Sequence, residues 1–388
     1  MATINASSET LVKVEEEHPY HGDILEEILS HVPLIDLIPA LQVSKSWNQA
    51  VYSSLRSCRN PPKPWLILHT QSARYPYAAV STHAYDPRSR LWMKISQPST
   101  ENPSPLRSSN SNFLYMYPPS INLSFSVDPL NLTWHRAGSP TICRLDPIVA
   151  KLGGSIIVAG GAYFFEDDPL AVEIYDTNSR EWRKTESMPE DLMGSSSSTW
   201  LSVAATDEKL YVMKKHSGEF HCFDLQSNSW SSPGNLRPDP RCFYSVIGHM
   251  LEDDRLILVG LIRDVDEKVE KVKIWEAVNC DRSFGYSFRE IGEMPPGLLE
   301  KLKGESSRVC SIDICTGGSF VYIYKPEDVA GIVVCELVNG GACYWGSVGN
   351  PVADRGGAWV VLTCAEVKLE ELRRGLKLNG CKFEYVNV

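Results

Sequence analysis

The side chains that could do bond chemistry are few, and they do not gather. His216, His221 and Cys222 are near one another in the chain. Two His residues five apart on a predicted hairpin do not converge on a metal. The runs Glu166-Asp167-Asp168 and Glu252-Asp253-Asp254 could supply paired carboxylates for acid–base work, but three in a row at predicted loop tips read as solvated turns. The alternating charges from Arg263 to Lys273 read as an exposed loop or strand edge. A P-loop, a dinucleotide fingerprint, an HExxH motif and a nucleophile elbow are all missing. The close cysteines Cys310 and Cys315 lack a zinc-site context. These residues predict no catalytic group, no metal and no cofactor.

A different phrase recurs: an aromatic or apolar residue, then Asp, then Trp six residues after the Asp. It stands at Tyr85-Asp86 with Trp92, Val127-Asp128 with Trp134, Tyr175-Asp176 with Trp182 and Phe223-Asp224 with Trp230, and the Asp positions are 42, 48 and 48 residues apart. Degenerate copies follow at Trp275 and at Glu336 with Trp345. A period of 40 to 50 residues with several short strands in each points to the blades of a β-propeller. The Asp at a strand end accepts backbone N–H groups of the following turn. The Trp opens the return strand and is placed between blades. The Gly160-Gly161 pair allows positive φ where a strand ends against a crowded neighbour. Six blades are expected, at about 65–97, 110–138, 146–189, 198–236, 243–295 and 309–348. The first offers only three strands, so the spare strand 358–364 is expected to close the ring on it and remove exposed edges.

The bulk numbers agree with a globular chain large enough for more than one domain. Of 388 residues, 43% are hydrophobic, and the formal net charge is −10. That balance opposes nucleic-acid binding, which needs clustered Lys and Arg. No apolar run approaches a membrane span, and the first twenty residues lack the apolar core of a secretory signal. The 11 cysteines are read as reduced and mostly buried, and the location as cytoplasmic, nuclear or both.

Before the repeats lies a different stretch. Residues 1–19 are polar and acidic and are expected to be disordered. Residues 20–57 carry helical apolar spacing: Ile24, Leu25, Ile28, Leu29 and Val32, then Leu34, Leu37, Ile38 and Leu41, then Trp47, Val51 and Leu55. Asp23 is read as an N-cap with Glu26 as its capping-box partner. Pro33 stops the first helix, and Pro39 should kink the second or delay its start. Three short helices bury too little on their own. A Pro-rich linker, 58–64, leads to the repeats at 65–365, and a tail at 366–388 has one helix-like run and one strand candidate.

These residues carry two family resemblances. His21-Gly22-Asp23-Ile24-Leu25, Val32-Pro33-Leu34-Ile35-Asp36-Leu37 and Val43-Ser44-Lys45-Ser46-Trp47 resemble an F-box, with His21-Gly22 in place of Leu-Pro, Ser44 in place of Cys, and Pro39 as an interruption. Gly160-Gly161, Tyr175-Asp176 and Trp182 resemble a kelch repeat. The fold class is therefore mainly β: a six-bladed kelch-type β-propeller preceded by a small three-helix F-box domain. The resemblance implies docking on the Skp-type adaptor of a cullin ubiquitin ligase through Leu25, Ile28, Leu29, Val32, Pro33, Leu34, Leu37, Val43 and Trp47. It also implies a non-enzymatic role, with the propeller capturing a target protein for ubiquitination and proteasomal degradation. The phrases Gln42–Asn48 and Ser197–Val203 look most like the plant F-box/kelch-repeat group directed at flavonoid and phenylpropanoid enzymes, chalcone synthase above all. Hot-spot residue types on predicted loops nominate Arg144, Trp200, Arg241, Tyr244 and Arg308 for the target. The alternatives are a kelch scaffold without a ligase role and a propeller enzyme with a convergent axial site.

Overall fold

The computed structural model describes residues 22–56, 62–72, 80–96, 104–110, 112–117, 122–195, 199–251, 254–280, 285–304, 309–338, 342–352, 358–378 and 381–387. The disordered segment expected at 1–19, the first residues of the linker and Arg308 lie outside them. The chain divides between Pro62 and Lys63 into two compact units.

The first unit holds α1 (Asp23–Ser30), a 3-10 turn (Leu34–Asp36), α2 (Leu37–Ala40) and α3 (Lys45–Arg56). Asp23 is not the N-cap. Gly22, at φ 67°, turns the chain into α1 with no side-chain cap, and Asp23 falls in the first turn, where its charge suits the helix dipole. Pro39 does not break α2, because it occupies the first turn, where the N–H it lacks has no helical partner. Ser44 caps α3: its Oγ accepts the Trp47 N–H at 3.2 Å.

The second unit is a six-bladed β-propeller. Blades 2 to 6 are antiparallel sheets that begin at Leu106–Asn110, Ile148–Leu152, Leu201–Ala205, Cys242–Met250 and Asp313–Gly317. Blade 1 has five strands. Ala358–Ala365 pairs with Trp65–Ser72 along eight residue pairs, so the end of the repeats supplies the inner strand of the first blade. Lys382–Val386 pairs with Leu91–Ser96 and becomes the outermost strand, which gives the tail strand its place.

The recurrent phrase builds one turn four times. Asp176 Oδ1 accepts the N–H groups of Asn178 and Ser179 at 2.8 and 2.9 Å. Asp224 does the same for Gln226 and Ser227. Asp86 and Asp128 cap the equivalent turns. Four residues after each Asp the backbone turns left-handed, at Arg90, Leu132, Arg180 and Asn228. The residue before the Asp then pairs with the Trp across the hairpin: Tyr85 with Trp92, Tyr175 with Trp182, Phe223 with Trp230, at ring distances of 5.2 to 5.4 Å. Four of the Trp residues also reach the preceding blade. Trp182 Nε1 donates to Gly138 O at 2.7 Å and Trp230 Nε1 to Glu186 O at 3.3 Å. Trp92 packs with Phe320 and Tyr322 of blade 6, and Trp275 with Met213 and Phe220 of blade 4. The core therefore sits between blades, and the large indole is the wedge that fills it.

Candidate functional site

Two surfaces follow from this frame. On the helical unit the apolar positions split into two stripes. Leu25, Leu29, Leu34 and Leu37 are buried, which corrects their expected role: they hold the unit together and are not presented to a partner. Ile24, Ile28 and Val43 are 63%, 48% and 51% exposed. Val32, Pro33 and Trp47 are half-buried, and among the described residues Trp47 Nε1 has no hydrogen-bond partner. Ile24 joins the exposed set, one turn before Ile28 on α1, although its spacing alone did not separate it from the core stripe.

On the propeller, the six inner strands surround a central cavity of about 560 Å³. Its lining mixes bases (Arg107, Lys151, Lys215) with acids (Asp207, Asp313, Glu327). Burial raises the Asp313 carboxyl above the usual carboxylate range, against the opposing pull of Lys215 and of the Ile314 N–H. Burial, and then the charges of Asp313 and Glu327, also push the Tyr244 phenol up.

The residues nominated for target binding have different fates. Arg144 is fully buried, so it cannot touch a target. Its guanidinium is consumed internally, by the carbonyls of Gly160 and Ala171 and by Glu173. Tyr244 is buried too, with its ring edge-on to His216 at 5.2 Å. Trp200 is exposed, with its ring also near that of His216, at 5.7 Å. The structure therefore brings Trp200 and Tyr244 together around His216, across blades 4 and 5. Arg241 is exposed and ion-paired with Asp239 at 3.3 Å. His221 points elsewhere, to Asp191 at 3.0 Å. The Asp191 carboxyl is raised by desolvation, but the bond and charge of His221 and the charge of Lys214 outweigh this and hold it below its usual range.

Composition alone did not single out the aromatic run Tyr163, Phe164 and Phe165, or Leu145 and Met193, all exposed; the signal was three consecutive aromatic residues next to a Gly pair. Among the described residues no group of three or more His, Cys, Asp or Glu is arranged to hold a metal, and no helix is long and apolar enough to cross a membrane.

A small helical unit with exposed apolar residues, joined to a six-bladed propeller with a Gly-pair and Trp repeat, is the architecture of an F-box domain followed by kelch repeats. The F-box domain family matches residues 22–58 and the kelch motif matches residues 143–189. The chain is 40% identical over 378 residues to F-box/kelch-repeat protein At1g23390 of Arabidopsis thaliana, covering 94% of each chain. It is 23% identical over 314 residues to F-box/kelch-repeat protein At3g61590 of the same plant, covering 72% of each. The chain belongs to the F-box/kelch-repeat family. Among solved structures it is similar to TolB from Acinetobacter baumannii, at 10% identity and a TM-score of 0.44, over 81% of this chain and 70% of that one.

Proposed function

We propose that this chain is the substrate-recognition subunit of a Skp–cullin–F-box ubiquitin ligase. The helical unit docks the Skp-type adaptor, and the propeller holds a target protein in the cytoplasm or nucleus. The chain makes and breaks no bonds itself. It raises the effective concentration of target lysines near the ubiquitin carrier, and the target then goes to the proteasome. The observation that carries this reading is the exposure of Ile24 and Ile28 on α1 and of Val43 before α3, on a unit whose core positions are already filled. Unspent apolar surface on a small helical unit fits a partner. Ile28, Val32, Pro33, Val43 and Trp47 are the expected contacts. The finer reading, a phenylpropanoid enzyme such as chalcone synthase as target, rests on the resemblance of short sequence phrases alone.

The test is a pull-down of purified Skp-type adaptor by the full chain, with an Ile28→Asp/Val43→Asp variant checked for unchanged circular dichroism and Tm. Binding by the wild type and at least tenfold weaker binding by the folded variant is the expected result. A folded wild-type chain that leaves the adaptor in solution sinks the ligase reading and favours a scaffold that only binds partners.

A further inference from the structure

Propeller strands alternate in direction, so the loops that join blades and the loops between second and third strands emerge on one face. On that face blade 3 is unlike a simple turn. The loop from Gly160 to Ala171 projects Tyr163, Phe164 and Phe165 outward, all exposed, with Tyr163 and Phe164 edge-on at 5.2 Å. Leu145 and Met193 are exposed on the two neighbouring loops. A cavity of about 260 Å³ lies at the base of this loop, lined by Gly160, Ala162, Leu192, Ser195 and Leu201 among others. That volume accepts a side chain.

The loop is built. Arg144 Nη1 donates to Gly160 O at 2.6 Å and to Ala171 O at 2.8 Å, so a single buried guanidinium clamps both ends. The Tyr163 N–H bonds to Cys143 O at 2.9 Å, and Asp168 Oδ1 accepts the Leu170 N–H at 2.8 Å. Such preorganisation lowers the ordering cost of binding.

Charge indicates the occupant. The sequence of this loop and of the described segment after blade 3, 186–195, holds Glu166, Asp167, Asp168, Glu186, Glu190 and Asp191, and neither Lys nor Arg. Of these, Asp191 is already ion-paired with Lys214 and His221, while Glu166 and Asp167 directly follow the aromatic run; aromatic anchors flanked by such carboxylates repel an anionic surface and complement a cationic, apolar one. We propose that this blade 3 surface is the docking site for a basic segment of the partner protein in which Lys or Arg residues alternate with aliphatic or aromatic ones. The inference rests on the reading of the propeller as a target-binding domain and specifies which surface and which partner chemistry.

The test uses the full chain and three fluorescent twelve-residue peptides, alternating Lys with Leu, Lys with Ser, and Glu with Leu, followed by anisotropy. The Lys–Leu peptide is expected to bind at least tenfold more tightly than the other two. Phe164→Ser/Phe165→Ser and Glu166→Lys/Asp167→Lys are each expected to weaken it at least tenfold without changing Tm, and Glu208→Lys, on the opposite face, to leave it unchanged. Equal binding of the two Lys peptides, or binding indifferent to the blade 3 variants, overturns the proposal. So does a dimer in sedimentation that Phe164→Ser/Phe165→Ser dissolves, since the occupant is then a second copy. Adaptor pull-down is scored separately: adaptor bound with no peptide selectivity rejects this site and leaves the ligase reading standing, whereas selectivity without adaptor does the reverse.

Discussion

Arg144 and Glu173 form a buried ion pair, Nη2 to Oε2 at 3.0 Å, with side chains 0% and 1% exposed. Backbone and side-chain groups of three segments converge on it. Glu173 Oε1 accepts the Thr141 N–H at 2.7 Å, and Arg144 supplies the two loop carbonyls of Gly160 and Ala171. The pair thus joins the inter-blade segment 141–145 to the third strand of blade 3 and sets the base of its aromatic loop.

Removing one partner leaves the other charge buried and uncompensated, which costs about 3–5 kcal/mol. Arg144→Met and Glu173→Leu are each expected to lose stability on that scale. The double variant should lose less than the sum of the two, with a coupling of about 1.5–3 kcal/mol. Urea denaturation of the four proteins in the cycle measures it. Additive losses would mean that the two side chains act independently, contrary to the geometry.

The Gly pair and the Asp turn make opposite predictions about the same backbone region. Gly161 has φ 70°, and a Cβ there would lie 2.6 Å from Leu145 O, a backbone atom that cannot move aside cheaply. Gly161→Ala is expected to cost about 2 kcal/mol or more, from left-handed strain and the clash together. Arg180 already carries a side chain at φ 61° and is exposed. Arg180→Gly releases that strain and is expected to be neutral or to stabilise by about 0.5–1 kcal/mol. Thermal melts of the two variants should move in different directions. A Gly161→Ala protein as stable as wild type would show that the pair is conformationally idle.

The parts of this fold that were legible in sequence are the local ones. An Asp that caps its own turn and a Trp six residues on act within one hairpin, so their spacing survives in the text of the chain. The inner closing strand was legible by arithmetic, since blade 1 was one strand short. What was not legible depends on distant partners. Arg144 looked like a surface hot spot because nothing near it in sequence announces Glu173, 29 residues on and across a sheet. Ile24, Leu25, Ile28 and Leu29 fall on adjacent helical stripes, and only the packing of α1 against α3 decides that the leucines are core and the isoleucines exposed. The strand Lys382–Val386 could be guessed, but its partner, nearly three hundred residues earlier, could not. Tyr244 was nominated by residue type, a criterion blind to burial.

The closing blade carries a titration that can be measured. His69 lies in Trp65–Ser72, the strand between Ser81–Asp86 and the closing strand Ala358–Ala365. Its Nδ1 is 3.2 Å from Thr82 Oγ1 and its Nε2 3.3 Å from Thr363 Oγ1, so the neutral ring bridges three strands at the point of closure. Burial, and secondarily the charge of His83, lower its pKa to about 3. An unfolded His titrates near 6.5, so below that pH the unfolded chain binds a proton that the folded one refuses. The contribution to stability is present in full above pH 6.5 and is lost progressively as the pH falls toward 3, at up to about 1.4 kcal/mol per pH unit. His69→Gln can still bond to a threonine but does not titrate. Its stability at pH 7 is expected to be lower than wild type, and the gap should narrow or reverse by pH 5. Urea midpoints for both proteins at pH 7, 6 and 5 read this directly. Parallel curves would place the acid sensitivity on other groups and show that His69 serves the closure only by its shape.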